Sequence, residues 1–175
     1  MNMNTSPSTR PDDAQGQVNA SSGCPDGLLL KLELRSDPRL LCAVRGALER
    51  LTELFHCSAE DTRAVTRAVD EALTNIMRHA YLGKLDQPIE VVLSCVPRPA
   101  STGPGEGLEI LLCDHGPPVD PEKFQGRRLD DIKPGGLGLH LIHQSMDSFE
   151  YRREGEANLF RLVKYFESVK HAHKD

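Results

Sequence analysis

No helical period separates the strand-like runs "PIEVVLSCV" (Pro88–Val96) and "LEILLCD" (Leu108–Asp114), nor "SFEYRRE" (Ser148–Glu154) and "NLFRLVKYF" (Asn158–Phe166). Neighbouring parallel strands need a crossover of a dozen or more residues, most often a helix. Here the connections are "PRPASTGPGEG" and "GEAN", rich in turn residues. The strands therefore cluster as hairpins instead of alternating strictly with helices.

The helical periods lie elsewhere. "LLLKLELR" (Leu28–Arg35) alternates from Leu30 onward and predicts a first strand. "SDP" then offers a helix start with Pro38 near the first helical position. Leu40, Val44, Ala47, Leu51 and Leu54 recur at helical spacing and predict a helix over 37–55. Ser58 opens a second helix through "SAED", a capping pattern with Asp61 in the place usual for Glu. Its buried stripe is Val65, Val69, Ala72 and Ile76, and it runs to Tyr81, where Gly83 can end it. "LGLHLIHQSMD" (Leu137–Asp147) predicts a third helix after the long irregular segment "HGPPVDPEKFQGRRLDDIKPGG". The order β, α, α, β, β, loop, α, β, β predicts an α+β fold. It is a two-layer α/β sandwich, a mixed, mainly antiparallel sheet with helices on one face.

A chain of 175 residues with 38% hydrophobic content accommodates one domain with a proper core, not two large ones. That domain is expected over 28–167. Residues 1–27, rich in Ser, Pro, Asn, Asp and Gly, read as a disordered tail, and 168–175 as a frayed end. The formal charge of -5 argues against a nucleic-acid binder, which needs a basic footprint. The five cysteines contain no C-x-x-C pair; Cys42, Cys57, Cys95 and Cys113 lie in apolar runs and read as reduced core cysteines. No apolar run approaches the roughly 18 residues of a membrane span, and the start lacks a signal-peptide core. The expected location is cytoplasmic, with no membrane partner.

Three motifs carry chemistry. "EALTNIMRHAY" (Glu71–Tyr81) sets Glu71, Asn75 and His79 four residues apart, a polar ridge beside the apolar stripe. By itself it also reads as a solvated helix edge. "DHGPPVD" (Asp114–Asp120) ends an apolar strand on a carboxylate able to accept from an exocyclic amine, and Gly116 lets a flat ring approach the backbone. Alone it is equally a plain turn. "KPGGLGLHLI" (Lys133–Ile142) runs glycines into a helix N-terminus, where free N–H groups and the helix dipole favour an anion. It is neither a Walker A loop nor the spaced Rossmann fingerprint, and alone it reads as a hinge.

In this order the motifs resemble the N, G1 and G2 boxes of the GHKL (Bergerat-fold, histidine-kinase-like) ATPase superfamily, over about Leu28–Phe166. "DEALTNIMRHAY", "GGLGLHLIHQSMDSFEY" and "NLFRLVKYF" are similar to the RsbW-like branch, the anti-sigma-factor serine kinases. The resemblance implies an ATP- and Mg²⁺-dependent protein serine/threonine kinase. In that reading Asn75 binds Mg²⁺ through its amide oxygen, and Glu71 is the general base for the substrate hydroxyl. His79 lies near the phosphates or supports the ridge. Asp114 holds the adenine amine and Gly116 admits the ring. Gly135, Gly136, Leu137, Gly138 and Leu139 cradle the phosphates, with Lys133 beside them. Arg127 and Arg128 steady phosphate charge or form a solvated loop face. The resemblance further implies transfer to a Ser or Thr of a STAS-domain anti-sigma-factor antagonist, binding of a sigma factor, and a homodimer.

The chain departs from the family pattern at Pro118, where many members carry the second glycine of D-x-G-x-G, and at Pro134 and Gly135, where some carry Arg and Ser. Those departures touch the lid contacts more than the fold. Other functions stay open at this level. One is an ATP-holding anti-sigma or adaptor module without a useful kinase rate. A detached histidine-kinase domain lacks room for its dimerisation helices. A metal enzyme built on His140 and His143 lacks an acid or cysteine set to complete the site.

Overall fold

A computed structural model describes residues 27–118 and 137–167. Five strands form one sheet: β1 (Gly27–Arg35), β2 (Pro88–Pro97), β3 (Gly105–Asp114), β4 (Ser148–Glu154) and β5 (Ala157–Glu167), in the order β1-β2-β3-β5-β4. Every neighbouring pair is antiparallel. The expected mixed character is thus corrected: among the described strands the sheet is wholly antiparallel. The reason is topological. The connection through α3 (Leu137–Ser145) leads from β3 to β4, and β5 returns between them.

Local signals place the elements. Alternation in β1 begins at Leu30 because the register against β2 shifts between Leu28 and Leu30, a bulge that leaves Leu29 extra. Asp37 caps a 3₁₀ turn, Pro38–Leu40, that leads into α1 (Leu41–Leu54). A 3₁₀ turn holds three residues, not 3.6. It rotates Leu40 off the buried face, and the stripe becomes Leu41, Val44, Leu48 and Thr52. Leu54, part of the helical spacing, is exposed, and Phe55 takes the inward position. Cys42 is likewise exposed, contrary to its reading as a core cysteine, because it follows Leu41 on the outward side of α1; Cys95 is buried, and Cys57 and Cys113 are half-buried. Cys24 lies outside the described residues.

Ser58 caps α2 (Ala59–Asn75) by accepting the Asp61 N–H at 3.0 Å. Asp61, one methylene shorter than the Glu of a full capping box, pairs with the Ser58 hydroxyl at 2.7 Å. The α-helix does not continue to Tyr81. A π turn, Ile76–Ala80, closes with the Tyr81 N–H on the Ile76 carbonyl, and Gly83 (φ 78°) then donates to the Met77 carbonyl.

The core lies between the helices and one sheet face. Leu48 of α1, Val65, Val69 and Leu73 of α2, and Ile142 of α3 meet Leu93, Ile110 and Leu162 of the strands. Burying one such side chain contributes about 1.5–3 kcal/mol. The opposite sheet face carries ion pairs such as Lys31–Glu90 and Arg161–Glu109. Half-exposed pairs of this kind contribute ~1 kcal/mol or less.

Candidate nucleotide site

Asp114 ends β3 and is fully buried. Antiparallel register sets it opposite Asn158 of β5, also fully buried. Asp114 Oδ1 accepts the Gly116 N–H at 2.7 Å and Asn158 Nδ2 at 2.8 Å. Oδ2 is buried without a hydrogen-bond partner. Leaving a buried acceptor unmet costs about 1–3 kcal/mol, more when charged. Burial pushes the carboxyl above the ordinary Asp value, opposed by the bonds from Asn158 and Gly116 and then by the charges of His115 and Arg153. One oxygen is thus committed to the protein, and the other is open to an N–H donor.

Gly116 brings the loop after β3 onto the π turn. A Cβ on Gly116 would lie 2.6 Å from Ala80 Cβ and 3.1 Å from Ala80 Cα, so only glycine permits this approach. Tyr81 ties the same corner together. Its buried hydroxyl donates to the Pro88 carbonyl at 2.6 Å and accepts the His115 N–H at 2.8 Å. Burial, first, pushes the Tyr81 phenol above its ordinary value and keeps that donor protonated.

At the other end of the ridge, α3 packs against α2 through its second residue. A Cβ on Gly138 would lie 2.7 Å from Glu71 Oε2 and 3.5 Å from Asn75 Nδ2. Glu71 and Asn75, both half-buried, therefore face the N-terminal turn of α3, where unpaired N–H groups point outward. Leu139 packs on the core. His79 follows a different course. A continued α-helix would carry it toward the buried stripe, but the wider π turn holds it out, exposed, and turns Ala80 inward. Lys133, Gly135, Gly136, Arg127 and Arg128 lie outside the described residues, and Leu137 begins α3.

Asn158, Tyr151 and Arg153 went unread in the sequence. Tyr151 Oη and Arg153 Nη1 donate to Asn158 Oδ1 at 2.9 and 2.7 Å. An Asn opening an apolar strand has no local signature, and only the β3–β5 register shows that it faces a carboxylate.

The site so assembled joins a polar helix ridge, a buried carboxylate and a glycine-opened helix start. Residues 34–164 match the histidine kinase-like ATPase domain family. The chain belongs to that family. Within it the chain stands with the RsbW-like protein serine/threonine kinases. A serine-protein kinase RsbW from Bacillus pumilus (strain SAFR-032) is 27% identical over 130 residues, 70% of this chain and 76% of that one. A serine/threonine-protein kinase BtrW from Bordetella bronchiseptica is 30% identical over 122 residues, 67% of this chain and 80% of its own length. The fold is shared with a chain of the SiaB–SiaC complex from Pseudomonas aeruginosa, at TM-score 0.51 and 13% identity, covering 79% of this chain and 91% of that one. It is shared also with part of a chain that holds the RsbU and RsbW domains of Rv1364c from Mycobacterium tuberculosis, at TM-score 0.51 and 16% identity, covering 77% of this chain and 31% of that one.

The residues fit the ATP that such an ATPase domain uses. The buried, unpartnered Asp114 Oδ2 suits an exocyclic amine, and Gly116 lets the loop beside it pack closely on Ala80. Among the described residues no group of three or more His, Cys, Asp or Glu could hold a metal ion. No described helix is long and apolar enough to cross a membrane.

Proposed function

We propose that this protein transfers the γ-phosphate of ATP to a Ser or Thr hydroxyl of a STAS-domain anti-sigma-factor antagonist, and that it restrains a sigma factor when the antagonist is absent or phosphorylated. The observation that carries the chemistry is the packing of Glu71 and Asn75 against Gly138. A carboxylate and an amide there meet the N-terminus of α3, whose dipole and free N–H groups favour a polyphosphate. Glu71 accepts the proton of the attacking hydroxyl. The Asn75 amide oxygen is a suitable ligand for Mg²⁺, which takes few protein ligands when phosphates and water supply the rest. The metal would neutralise phosphate charge. Asp114 and Gly116 hold the base at the π turn, more than one α-helical turn beyond Glu71. In this reading His79, exposed, meets phosphate or solvent, and Lys133, Gly135 and Gly136, outside the described residues, would also bind phosphate.

The relatives named as protein kinases support the reaction class. The structural neighbour that shares the fold was solved in a complex of two proteins, SiaB and SiaC, which fits a protein partner here. A homodimer acting in the cytoplasm completes the reading.

Phosphotransfer tests it. The chain is mixed with Mg·ATP and STAS-domain proteins of the same genome, and each protein is weighed intact by mass spectrometry. One candidate should gain a single phosphate. Glu71→Gln should cut the rate about 10²–10⁴-fold while ATP still binds. ATP binding without transfer to any candidate would instead favour a nucleotide-holding adaptor.

A further inference from the structure

An amide side chain can present either its oxygen or its nitrogen, so a carboxylate facing Asn158 is only as well held as that amide is oriented. Two donors settle the orientation. Tyr151 Oη, at 2.9 Å, and Arg153 Nη1, at 2.7 Å, both reach Asn158 Oδ1. Tyr151 and Arg153 alternate onto the same face of β4, and register sets Arg153 directly opposite Asn158. With its oxygen occupied, Asn158 must aim Nδ2 at Asp114 Oδ1, and that nitrogen also lies 3.2 Å from the Gly116 carbonyl and 3.3 Å from that of Pro117. Arg153 Nη1 reaches the Gly116 carbonyl too, at 3.2 Å. One guanidinium therefore grips both the amide and the loop that carries Gly116.

Resting on the ATP reading above, we propose that Arg153, assisted by Tyr151, is a positioning residue for base selection. By locking the Asn158 amide it commits Asp114 Oδ1 to the protein and leaves Oδ2 as the acceptor for the ligand. A purine with an exocyclic amine satisfies that acceptor; a 6-oxo purine sets oxygen against oxygen. Released, the amide is held only through Nδ2, by Asp114 Oδ1 and the Gly116 and Pro117 carbonyls, and its oxygen is left unmet. It can then tilt toward another donor, the hydrogen bond to Asp114 Oδ1 weakens, the carboxylate is free to rotate, and the pocket loses its fixed acceptor. Arg153 is exposed and lies outside the apolar core, so its loss leaves that core intact.

The test compares dissociation constants for ATP and inosine triphosphate, measured on the full chain by titration calorimetry, for the parent, Arg153→Met, Arg153→Lys, Tyr151→Phe and Asp114→Asn. Arg153→Met keeps the stem and removes the donors. It should weaken ATP about tenfold, one charged hydrogen bond's worth, and leave inosine triphosphate nearly unchanged, so the preference collapses. Arg153→Lys should recover part of it. Tyr151→Phe should move the preference the same way by less, and it serves as the test if Arg153→Met does not fold. An ATP-to-inosine ratio equal to the parent's in the folded variants overturns the proposal, whether or not both affinities fall together, because a merely structural role lowers both alike. A parent that binds neither nucleotide, or whose preference is indifferent to Asp114→Asn, overturns the ATP reading itself.

Discussion

Asp114 joins a stability cost and a recognition function in one side chain. Its burial raises the carboxyl above the ordinary value of 3.8, so folding favours the protonated form relative to the unfolded chain. Ionisation then opposes folding. The cost is absent below the ordinary value, builds between that value and the raised folded one, and is fully present above both. Asp114→Asn removes the charge and keeps the acceptor that faces Gly116 and Asn158. At pH 7 the variant should melt no lower than the parent, and any margin should vanish in acid, as thermal scans across pH would show. Its pocket-side atom becomes a donor. ATP affinity should fall roughly tenfold and the base preference should tilt toward inosine triphosphate. In the parent, ATP affinity should drop as pH falls through the raised value, because a protonated Oδ2 no longer accepts.

At the scale of elements, the contact of α3 with α2 is set by a missing side chain. Gly138→Ala would drive a methyl to within 2.7 Å of Glu71 Oε2, the free end of a flexible chain that can move aside. Alanine is worth about 0.5–1 kcal/mol over glycine within a helix. The variant should therefore be as stable as the parent or slightly more so by melting. Its phosphotransfer should fall about 100-fold, since a displacement near 1 Å of a reacting group costs that much. A full rate with unchanged stability would separate Glu71 from the chemistry. Element starts were legible because they rest on neighbours in sequence: Asp37 before Pro38, and Ser58 with Asp61. The π turn was not, because nothing in "IMRHAY" favours five-residue over four-residue bonding. It is fixed by Ala80 against Gly116 and by Tyr81 bonding across to His115 and Pro88. The spacing of Leu40, Val44 and Leu54 predicted the helix but not its inward face: Val44 is buried while Leu40 and Leu54 are exposed, since the 3₁₀ entry changes which residues beside Val44 turn inward.

For the molecule as a whole, the proposed nucleotide site touches the helix layer at Glu71 and Asn75 and the sheet end at Asp114. A ligand there binds only the folded state. At a hundred times its dissociation constant, Mg·ATP should add about 2.7 kcal/mol of stability, a rise in Tm of roughly 5–10 °C for a domain of this size. The rise should scale with the logarithm of ATP concentration and shrink in Asp114→Asn. A flat response by scanning fluorimetry would mean that no such site forms.

The amino-acid order alone determined the hairpin clustering, the helix starts and the three polar motifs, because periodicity, caps and turn residues act over a few positions. It marked Glu71, Asn75, Asp114, Gly116 and Gly138 as a set worth joining. Tertiary structure alone decided which atoms meet. The all-antiparallel order puts Asn158 across from Asp114, the π turn brings Ala80 under Gly116, and β4 carries Arg153 and Tyr151 to the same amide. Contacts between residues 34 to 44 positions apart depend on strand register and helix phase; a shift of one residue sends a strand side chain to the opposite face and turns a helix side chain by about 100°.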